Sequence, residues 1–456
     1  MDRVALLARG AGEAGAGKLV AAEATYRSML ASEPRDAEVL SNLGAVLNMA
    51  ENPVAGEAVC RAALAAQPDY WAALGNLGAA LHQQQRHDEA VGAYAAALRS
   101  NPSNADACTN LGVALAEQGR MAASLAFHDI ALTLSPADAQ VRANRAMALL
   151  AAGDFARGFT EYEWRWRTQA MAPQALAGQQ WCGEPLEGRT ILVHDEGGFG
   201  DTLQFVRYVP ALAALGARVV LRVQAPLVRL IRRSLPDTIA VLPRGAALPP
   251  CDLHCPMMSL PHAFGTTLET VPGDTPYLMP CHEAVTRWRT RLAAAGGGRG
   301  LHVGLVWAGE PRPGMWQVHA MDRRRSMSLA RFAPLAGVPG VHLVSLQFGA
   351  AAGAAQTPSG MHLFDPMAEM ADFDDTAALV ANLDLVIAVD TAVAHLAGAL
   401  GRPVWVLSRY DACWRWLAGR RDSPWYPGLR VYRQPHPGDW DSVLSEIVRD
   451  LSNATV

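Results

Sequence analysis

The chain has 456 residues, 50% apolar and 18% charged, so it is long enough for two or three domains with sizeable cores. Its formal net charge of −4 argues against nucleic acid as a partner. Lys18 is the single lysine, so no later residue can form a Schiff base. Pyridoxal enzymes, protein kinases and lysine aldolases are therefore excluded from the rest of the chain.

The sequence contains no pattern typical of a secretory or membrane-spanning segment. Its first residues lack the apolar core of a signal peptide, and no run of about 18 uncharged apolar residues occurs. The seven cysteines are scattered and odd in number, which is typical of reduced thiols. We therefore expect a cytoplasmic protein without a transmembrane segment.

A 34-residue period runs through the first third of the chain. Prolines recur at positions 34, 68, 102 and 136, and the tripeptide Asn-Leu-Gly begins at 42, 76 and 110. This period is typical of tetratricopeptide repeats, in which each unit is a pair of antiparallel helices. The pattern predicts four full units, the first near residues 3–36, and a partial fifth that ends near Arg167. The glycine is expected where the two helices of a unit meet, because a larger side chain would separate them.

One asparagine recurs in four successive repeats, at Asn42, Asn76, Asn110 and Asn144. The repeat geometry predicts that these side chains face the concave side of a superhelix, where solenoid proteins usually bind partners. A carboxamide donates and accepts hydrogen bonds, so the series can hold the backbone of an extended peptide whatever its sequence. The alternative is that these asparagines only connect neighbouring helices.

From Arg189 onward, short buried strands alternate with helices. We predict strands at 191–194, 218–223, 239–242, 302–307, 341–346, 385–389 and 403–407, and helices near 202–214, 226–235, 374–383, 391–400 and 441–451. This alternation indicates parallel sheets covered by helices, and the run Gly296-Gly297-Gly298 is a natural linker between two Rossmann-like halves.

The predicted fold class is therefore an α solenoid of tetratricopeptide repeats followed by α/β. We expect the repeat array at 1–168, one Rossmann-like half at 187–298, and a second Rossmann-like half with a C-terminal helix at 299–456. Ligands of such halves bind at the carboxyl ends of the strands, in the cleft between them.

The first chemical signal is the glycine-rich loop after the strand 191–194. Gly198 and Gly200 allow the backbone to approach a ligand closely, and Asp201 begins a helix. A carboxylate on a loop that faces a cleft is a candidate general base. The alternative role of Asp201 is a helix cap.

The second signal follows the strand 385–389. A helix that begins near Thr391 would direct its free N–H groups and the positive end of its dipole into the cleft, which suits a diphosphate. Asp390, Ala392 and His395 belong to the same loop and first helical turn. The alternative is a capped helix with a packed histidine.

The third signal is the cluster of Arg323, Arg324 and Arg325. A guanidinium bonds two oxygens at once, so we interpret this cluster as a phosphate clamp in a loop after a central strand, with a solvated charge run as the alternative. Trp307 lies near a strand end, where it is a candidate for stacking on the donor, although tryptophans in such strands are more often part of the core.

Two patterns that resemble metal ligands are set aside. Asp372-Phe373-Asp374 precedes a helix, where Asp374 is expected to act as a cap. The cysteines and histidines between residues 251 and 262 lack the spacing of a zinc knuckle. The sequence therefore predicts neither a metal site nor a cofactor.

Eight stretches of the second part share features with one family: 196–205, 255–261, 304–309, 323–326, 374–378, 384–403, 422–427 and 437–440. Through them, residues 189–445 resemble the catalytic part of bacterial tetratricopeptide-repeat glycosyltransferases. These are similar to the lipopolysaccharide heptosyltransferases and, more distantly, to the O-linked N-acetylglucosamine transferases. The resemblance implies a GT-B-type arrangement and an inverting, metal-independent sugar transfer from a nucleotide donor.

The resemblance further implies that 187–298 is the acceptor side with the candidate base, that 299–456 is the nucleotide-sugar side, and that the nucleotide sugar is a substrate and not a cofactor. It also implies residue roles. Asp201 corresponds to the heptosyltransferase aspartate that is thought to act as base. Asp390, Thr391 and His395 correspond to the loop that binds the donor diphosphate. The asparagine series resembles the asparagines with which N-acetylglucosamine transferases hold peptides.

The chain departs from these relatives at three points. Gly197 stands where they usually carry glutamine, and Ala392 stands where heptosyltransferases carry glycine. The lysine that those enzymes use near the phosphates has no counterpart, so an arginine must substitute for it.

We therefore expect a hexosyl- or heptosyl-type glycosyltransferase whose repeats present a protein or glycan acceptor to a nucleotide-sugar site. One alternative is transfer to a lipid-linked or surface saccharide, with the repeats serving only assembly. The other is an adaptor that binds nucleotide without turnover. The repeats are also compatible with a homo-oligomer.

Overall fold

The computed structural model describes residues 2–168, 171, 176, 178–296, 300–311 and 316–454. The chain forms two compact units, Met1–Ala152 with Glu161–Ala172, and Gly153–Thr160 with Pro173–Val456. Of the predicted glycine linker, Gly297 and Gly298 lie outside the described residues.

Helix pairs with short turns build the first unit. The helices are α1 (Arg3–Gly15), α2 (Leu19–Leu30), α3 (Ala37–Met49), α4 (Pro53–Ala66), α5 (Trp71–Gln83), α6 (His87–Ser100), α7 (Ala105–Glu117), α8 (Met121–Leu134) and α9 (Ala139–Ala151), and α10 (Phe155–Tyr162) follows. First helices begin at 3, 37, 71, 105 and 139, and second helices at 19, 53, 87, 121 and 155. Both series advance by the predicted period, so the repeat register is confirmed.

A glycine lies at the contact between the two helices of each of the first four repeats, and Ala146 holds the equivalent position of the fifth. A Cβ atom at this glycine would come within 3.0 Å of a buried side chain on the second helix. The pairs are Gly10 with Tyr26, Gly44 with Cys60, Gly78 with Tyr94, and Gly112 with His128. The repeat therefore needs glycine for the close approach of its helices, as the sequence predicts.

The turn between the two helices of a repeat contains one residue with left-handed backbone. These residues are Gly17, Glu51, Gln85, Gly119 and Gly153, with φ between 58° and 87°. They also recur every 34 residues, so the chain makes the same turn with glycine in three repeats and with a larger residue in two.

Two parallel sheets form the second unit. The first has the order β1-β5-β2-β3-β4 and consists of β1 (Gln179–Gln180), β2 (Thr190–His194), β3 (Arg218–Val223), β4 (Ala240–Pro243) and β5 (Leu253–Pro256). The second has the order β11-β10-β9-β6-β7-β8 and consists of β6 (Leu301–Val306), β7 (Val341–Ser345), β8 (Leu363–Phe364), β9 (Leu385–Val389), β10 (Val404–Ser408) and β11 (Leu429–Arg433). The predicted fold class, a repeat array followed by two parallel α/β halves, is confirmed.

Ten helices of the described part of this unit follow or connect the strands. They are α11 (Phe199–Phe205), α12 (Val209–Ala214), α13 (Val228–Ser234), α14 (Leu260–Ala263), α15 (His282–Gly296), α16 (Trp316–Arg325), α17 (Ala350–Gly353), α18 (Phe373–Val380), α19 (Ala392–Ala399) and α20 (Trp440–Ala454). Buried residues of α20, among them Ile447 and Leu451, share one hydrophobic core with Leu305 of β6 and Ile387 of β9.

The structure corrects three local predictions. The helix predicted near 202–214 is divided into α11 and α12, because Pro210 at the start of α12 lacks the N–H group that a continuous helix needs. The arginine run predicted in a loop lies at the end of α16. Asp372, not Asp374, caps α18, because its carboxylate accepts hydrogen bonds from the backbone N–H groups of Asp374 and Asp375.

Candidate active site

The glycine-rich loop after β2 is held from two sides. Asp201, the third residue of α11, accepts a 2.7 Å hydrogen bond from the backbone N–H of Gly198, so it does cap the helix. Gln224, directly after β3, donates to the Gly197 carbonyl at 3.1 Å and accepts from the Thr202 hydroxyl at 2.8 Å. The loop conformation is therefore fixed by hydrogen bonds from both its own helix and the neighbouring strand.

The second carboxylate oxygen of Asp201 faces Arg415, a residue between β10 and β11. The guanidinium lies 2.5 Å from Asp201 Oδ1, and its Nε donates to Gln204 at 2.8 Å. It also packs over the Trp414 ring at 4.5 Å from the centroid. The Asp201 side chain keeps 25% of its surface exposed, so the carboxylate is oriented by both halves and still reaches solvent.

Helices α11 and α19 meet at Gly200 and His395. A Cβ atom on Gly200 would come within 3.0 Å of His395 Cδ2, so this contact requires glycine. His395 Nδ1 shares a 3.0 Å hydrogen bond with the Tyr426 hydroxyl, and its ring stacks on Trp416 with 5.2 Å between centroids. Burial lowers the pKa of His395 to about 4, so the imidazole is neutral near pH 7. The histidine joins the two halves and brings no positive charge to an anion.

The amino end of α19 follows β9 at the carboxyl edge of the second sheet. Thr391 precedes the helix but does not cap it with its side chain. Within the described residues, the Thr391 hydroxyl oxygen is buried and has no hydrogen-bond partner. Leaving such a group unpaired costs about 1–3 kcal/mol. The helix N–H groups and dipole favour an anion at this end, so Thr391 and Ala392 remain candidates for binding a diphosphate.

Arg325 connects the arginine cluster to this edge. Its guanidinium donates to the backbone carbonyl of Asp390 at 2.7 Å and to the carboxylate of Asp322 at 2.9 Å. Asp322 is 3% exposed, so the ion pair orients Arg325 from within the fold. The structure thus brings Arg325, Asp390 and Thr391 together.

The other two arginines of the cluster differ in their surroundings. Arg324 pairs with Asp411, which follows β10, at 2.9 Å. Its Nε is buried and lacks a partner in the described part of the chain. Arg323 is exposed. Arg324 therefore lies beside the same strand ends as Arg325. The alternative interpretation, a solvated charge, applies to Arg323.

Trp307 does not present its ring to a ligand. Its side chain is 2% exposed and belongs to the hydrophobic core of the second sheet. The stacking role predicted for Trp307 is therefore corrected, because a ring enclosed by core residues offers no free face.

The segment after β10 contains functional candidates that the sequence analysis missed. Asp411 pairs with Arg324, and Arg415 pairs with Asp201. The signal was present, because residues 409–416 follow a predicted strand and combine charged residues with two tryptophans. The rule that ligands bind at strand ends applies to this loop as it does to the other two.

The asparagine series of the first unit divides into two kinds. Asn76 donates to the backbone carbonyl and hydroxyl of Ser41 at 3.0 and 3.1 Å, and Asn144 accepts from Gln140 on its own helix at 3.0 Å. Asn42 is half-buried and Asn110 is exposed. The interhelical alternative therefore holds for Asn76, while Asn110 offers its amide to solvent.

Comparisons with known proteins agree with this architecture. Residues 352–410, which include Asp390, Thr391 and His395, match the model of glycosyltransferase family 9 (heptosyltransferase). Residues 7–70, 55–104 and 76–139 match a tetratricopeptide repeat model. Protein FlbA of Caulobacter vibrioides is 28% identical over 323 residues, which are 66% of this chain and 52% of FlbA, so the chain spans about half the length of this curated relative.

Solved structures of repeat proteins resemble part of the chain. PilF of Pseudomonas aeruginosa has a TM-score of 0.33 at 22% identity and covers 36% of this chain and 75% of its own. A tetratricopeptide repeat protein of Thermus thermophilus, TTC0263, has a TM-score of 0.35 at 19% identity and covers 38% and 93%, respectively.

The chain thus joins tetratricopeptide repeats to a segment that matches the glycosyltransferase family 9 model, which confirms the resemblance drawn from the sequence. None of the helices in its described part has the length and apolar character needed to cross a membrane.

Proposed function

We propose that this chain is an inverting, metal-independent glycosyltransferase that moves a hexosyl or heptosyl group from a nucleotide sugar to a protein or glycan acceptor. One observation carries the proposal. The candidate base Asp201 lies on α11, Thr391 directly precedes α19, and these two helices are in direct contact through Gly200 and His395. A base and a leaving-group site are the two parts that such a transfer needs on one catalytic body.

The donor side of the proposal depends on the charge of the leaving group. A nucleoside diphosphate gains negative charge as its bond to the sugar breaks. Preorganised donors aimed at this charge stabilise the transition state without a metal. The free N–H groups at the start of α19, the Thr391 hydroxyl and the guanidinium of Arg325 are suited to this task.

The acceptor side depends on Asp201. The acceptor oxygen bonds to the anomeric carbon on the face opposite the leaving diphosphate, which inverts that centre, and its proton passes to the Asp201 carboxylate. Arg415 and the N–H of Gly198 position this carboxylate from opposite sides. They act through Asp201, so both are positioning groups.

We further propose that the repeats hold the acceptor through Asn42 and Asn110, because Asn76 is already bonded to Ser41. Replacement of Asn110 by alanine should weaken acceptor binding and leave nucleotide affinity unchanged.

All seven cysteines are free thiols, which supports the proposed cytoplasmic location.

The test combines binding and turnover on the full chain. Thermal-shift screening against nucleoside diphosphates identifies the base of the donor, since a ligand of the native state raises the melting temperature. Donor hydrolysis or transfer is then compared between wild type, Asp201→Asn and the matched control Asp237→Asn, which changes an exposed aspartate of the same half. We expect Asp201→Asn to lose about 10²–10⁴-fold in rate and the control to lose none.

Two outcomes oppose the proposal. Equal rates for wild type and Asp201→Asn would show that Asp201 is not the base. Binding of nucleoside diphosphates without turnover of any donor would favour the adaptor.

A further inference from the structure

Three side chains with metal-ligand chemistry meet within the repeat array. His82 lies near the end of α5, His87 is the first residue of α6, and Glu117 is the last residue of α7. One ligand atom of each lies within 4.8 Å of the other two. His87 Nδ1 is 3.3 Å from Glu117 Oε2, and His82 Nε2 contacts the same oxygen.

We propose that His82, His87 and Glu117 bind a divalent transition-metal ion of the Zn²⁺ type. Imidazole nitrogen and carboxylate oxygen bind zinc at about 2.0–2.2 Å, and sites with three protein ligands keep a fourth position for water. Tetrahedral coordination at these lengths places ligand atoms about 3.5 Å apart, so the cluster needs only small side-chain rotations to close on an ion. The His82 and Glu117 side chains are 23% and 21% exposed, which gives the ion a path from solvent.

The neighbouring repeats indicate that the fold does not require this set of residues. One period earlier, the equivalent positions hold Asn48, Pro53 and Gln83, and Gln83 donates to the Asn48 carbonyl at 3.3 Å. In the preceding repeat, a neutral amide on α5 is therefore enough to bond to the backbone of α3, the first helix of the repeat before it. One period later, positions 116, 121 and 151 hold alanine, methionine and alanine.

The consequence of metal binding follows from where the ligands lie. His82 and His87 belong to one repeat, and Glu117 belongs to the next. An ion at this point adds a link between two repeats that already share packing contacts and a 2.8 Å hydrogen bond from Gln118 to Asp88, so it should stabilise the array against unfolding.

The test uses the full chain after removal of metal with a chelator. Zn²⁺ is titrated in competition with a chromophoric chelator, and melting temperatures are measured with and without it. The variant His82→Asn with Glu117→Gln carries the residue types of the preceding repeat, so it should fold. The control, His282→Asn with Glu283→Gln, makes the same changes at an exposed pair on α15.

We expect one Zn²⁺ per chain in wild type and in the control, with a raised melting temperature in both. The variant should bind at least about 100-fold more weakly, because loss of a supporting residue alone costs up to that factor. Co²⁺ should give visible bands without thiolate charge transfer, which separates this site from the free cysteines. A wild-type chain that neither binds Zn²⁺ nor gains stability overturns the proposal, as does equal binding by the variant. Circular dichroism of the variant verifies its fold.

Discussion

At the scale of single residues, the Thr391 hydroxyl is expected to serve ligand binding at the expense of stability. It is buried without a hydrogen-bond partner among the described residues, which lowers the stability of the free protein, and it can donate to an oxygen of a bound ligand. We predict that Thr391→Val leaves the melting temperature of the free chain unchanged or raises it. The same variant should bind the preferred nucleoside diphosphate about 10- to 150-fold more weakly, since one hydrogen bond to a charged group contributes about 1.5–3 kcal/mol.

Thr202→Val is the matched control, because the Thr202 hydroxyl is buried and donates to Gln224 at 2.8 Å. Removal of this donor should destabilise the protein by about 1–3 kcal/mol, since the Gln224 oxygen loses its partner. Melting curves and nucleotide titrations of both variants check the prediction. A destabilised Thr391→Val protein with unchanged nucleotide affinity would mean that Thr391 serves only the fold.

His128 predicts acid sensitivity of the repeat array. The side chain is 0% exposed, and burial lowers its pKa from 6.5 to about 4, assisted by the nearby charge of Arg145 and opposed by Asp129. Because the folded pKa is below the unfolded one, the unfolded chain binds more protons between these values, and stability falls as the pH drops through this window. The loss between pH 7 and pH 5 should be about 2 kcal/mol.

The repeat supplies the variant that tests this effect. Tyr26 and Tyr94 occupy the equivalent position of other repeats and pack on a glycine as His128 does. We therefore expect His128→Tyr to fold and to lose less stability than wild type when denaturant melts at pH 7 and pH 5 are compared. Equal pH dependence in the two proteins would show that other groups cause the acid sensitivity.

At the scale of elements, the left-handed turn residue of each repeat controls stability through the backbone alone. Glu51 is exposed and has a φ of 58°, a conformation that costs a residue with a Cβ about 1–2 kcal/mol. Glycine avoids this cost in the folded protein. Part of that gain is offset because glycine has more conformational entropy in the unfolded chain. We predict that Glu51→Gly stabilises the array by up to about 1 kcal/mol.

The reverse change supplies the control. Gly119 has a φ of 73°, and a Cβ there would meet no atom within 4 Å among the described residues, so Gly119→Ala should destabilise by a similar amount for conformational reasons only. Thermal melts of the two variants check both signs. A Gly119→Ala protein with the melting temperature of wild type would show that the left-handed backbone of this turn does not affect stability.

Elements with a periodic signal were predictable, and contacts distant in sequence were not. The repeat helices follow from residues that recur every 34 positions, and β9 follows from an unbroken apolar run. β11 was missed because arginines at 430 and 433 interrupt its apolar pattern on a strand at the sheet edge. Asp201 and Thr391 could be singled out because each follows a predicted strand. The contact of Asp201 with Arg415 depends on how two halves pack, which no local pattern encodes.

At the scale of the whole molecule, the two compact units have separate hydrophobic clusters. Leu77, Leu81 and Leu111 belong to a cluster of the repeats, whereas Leu305 and Ile387 belong to the core of the second sheet. A ligand stabilises only the folded unit that binds it. We therefore predict two calorimetric transitions, of which a nucleoside diphosphate raises only one.

Two of the variants described above show which unit gives rise to each calorimetric transition. Gly119→Ala should lower the transition of the repeats, and Thr391→Val should reduce the nucleotide-induced shift of the other. At 100 times the dissociation constant, the nucleotide should add about 2.7 kcal/mol to the unit that contains α19. A nucleotide that shifts both transitions equally, or a single transition that both variants move, would mean that the repeats and the catalytic body unfold as one cooperative structure.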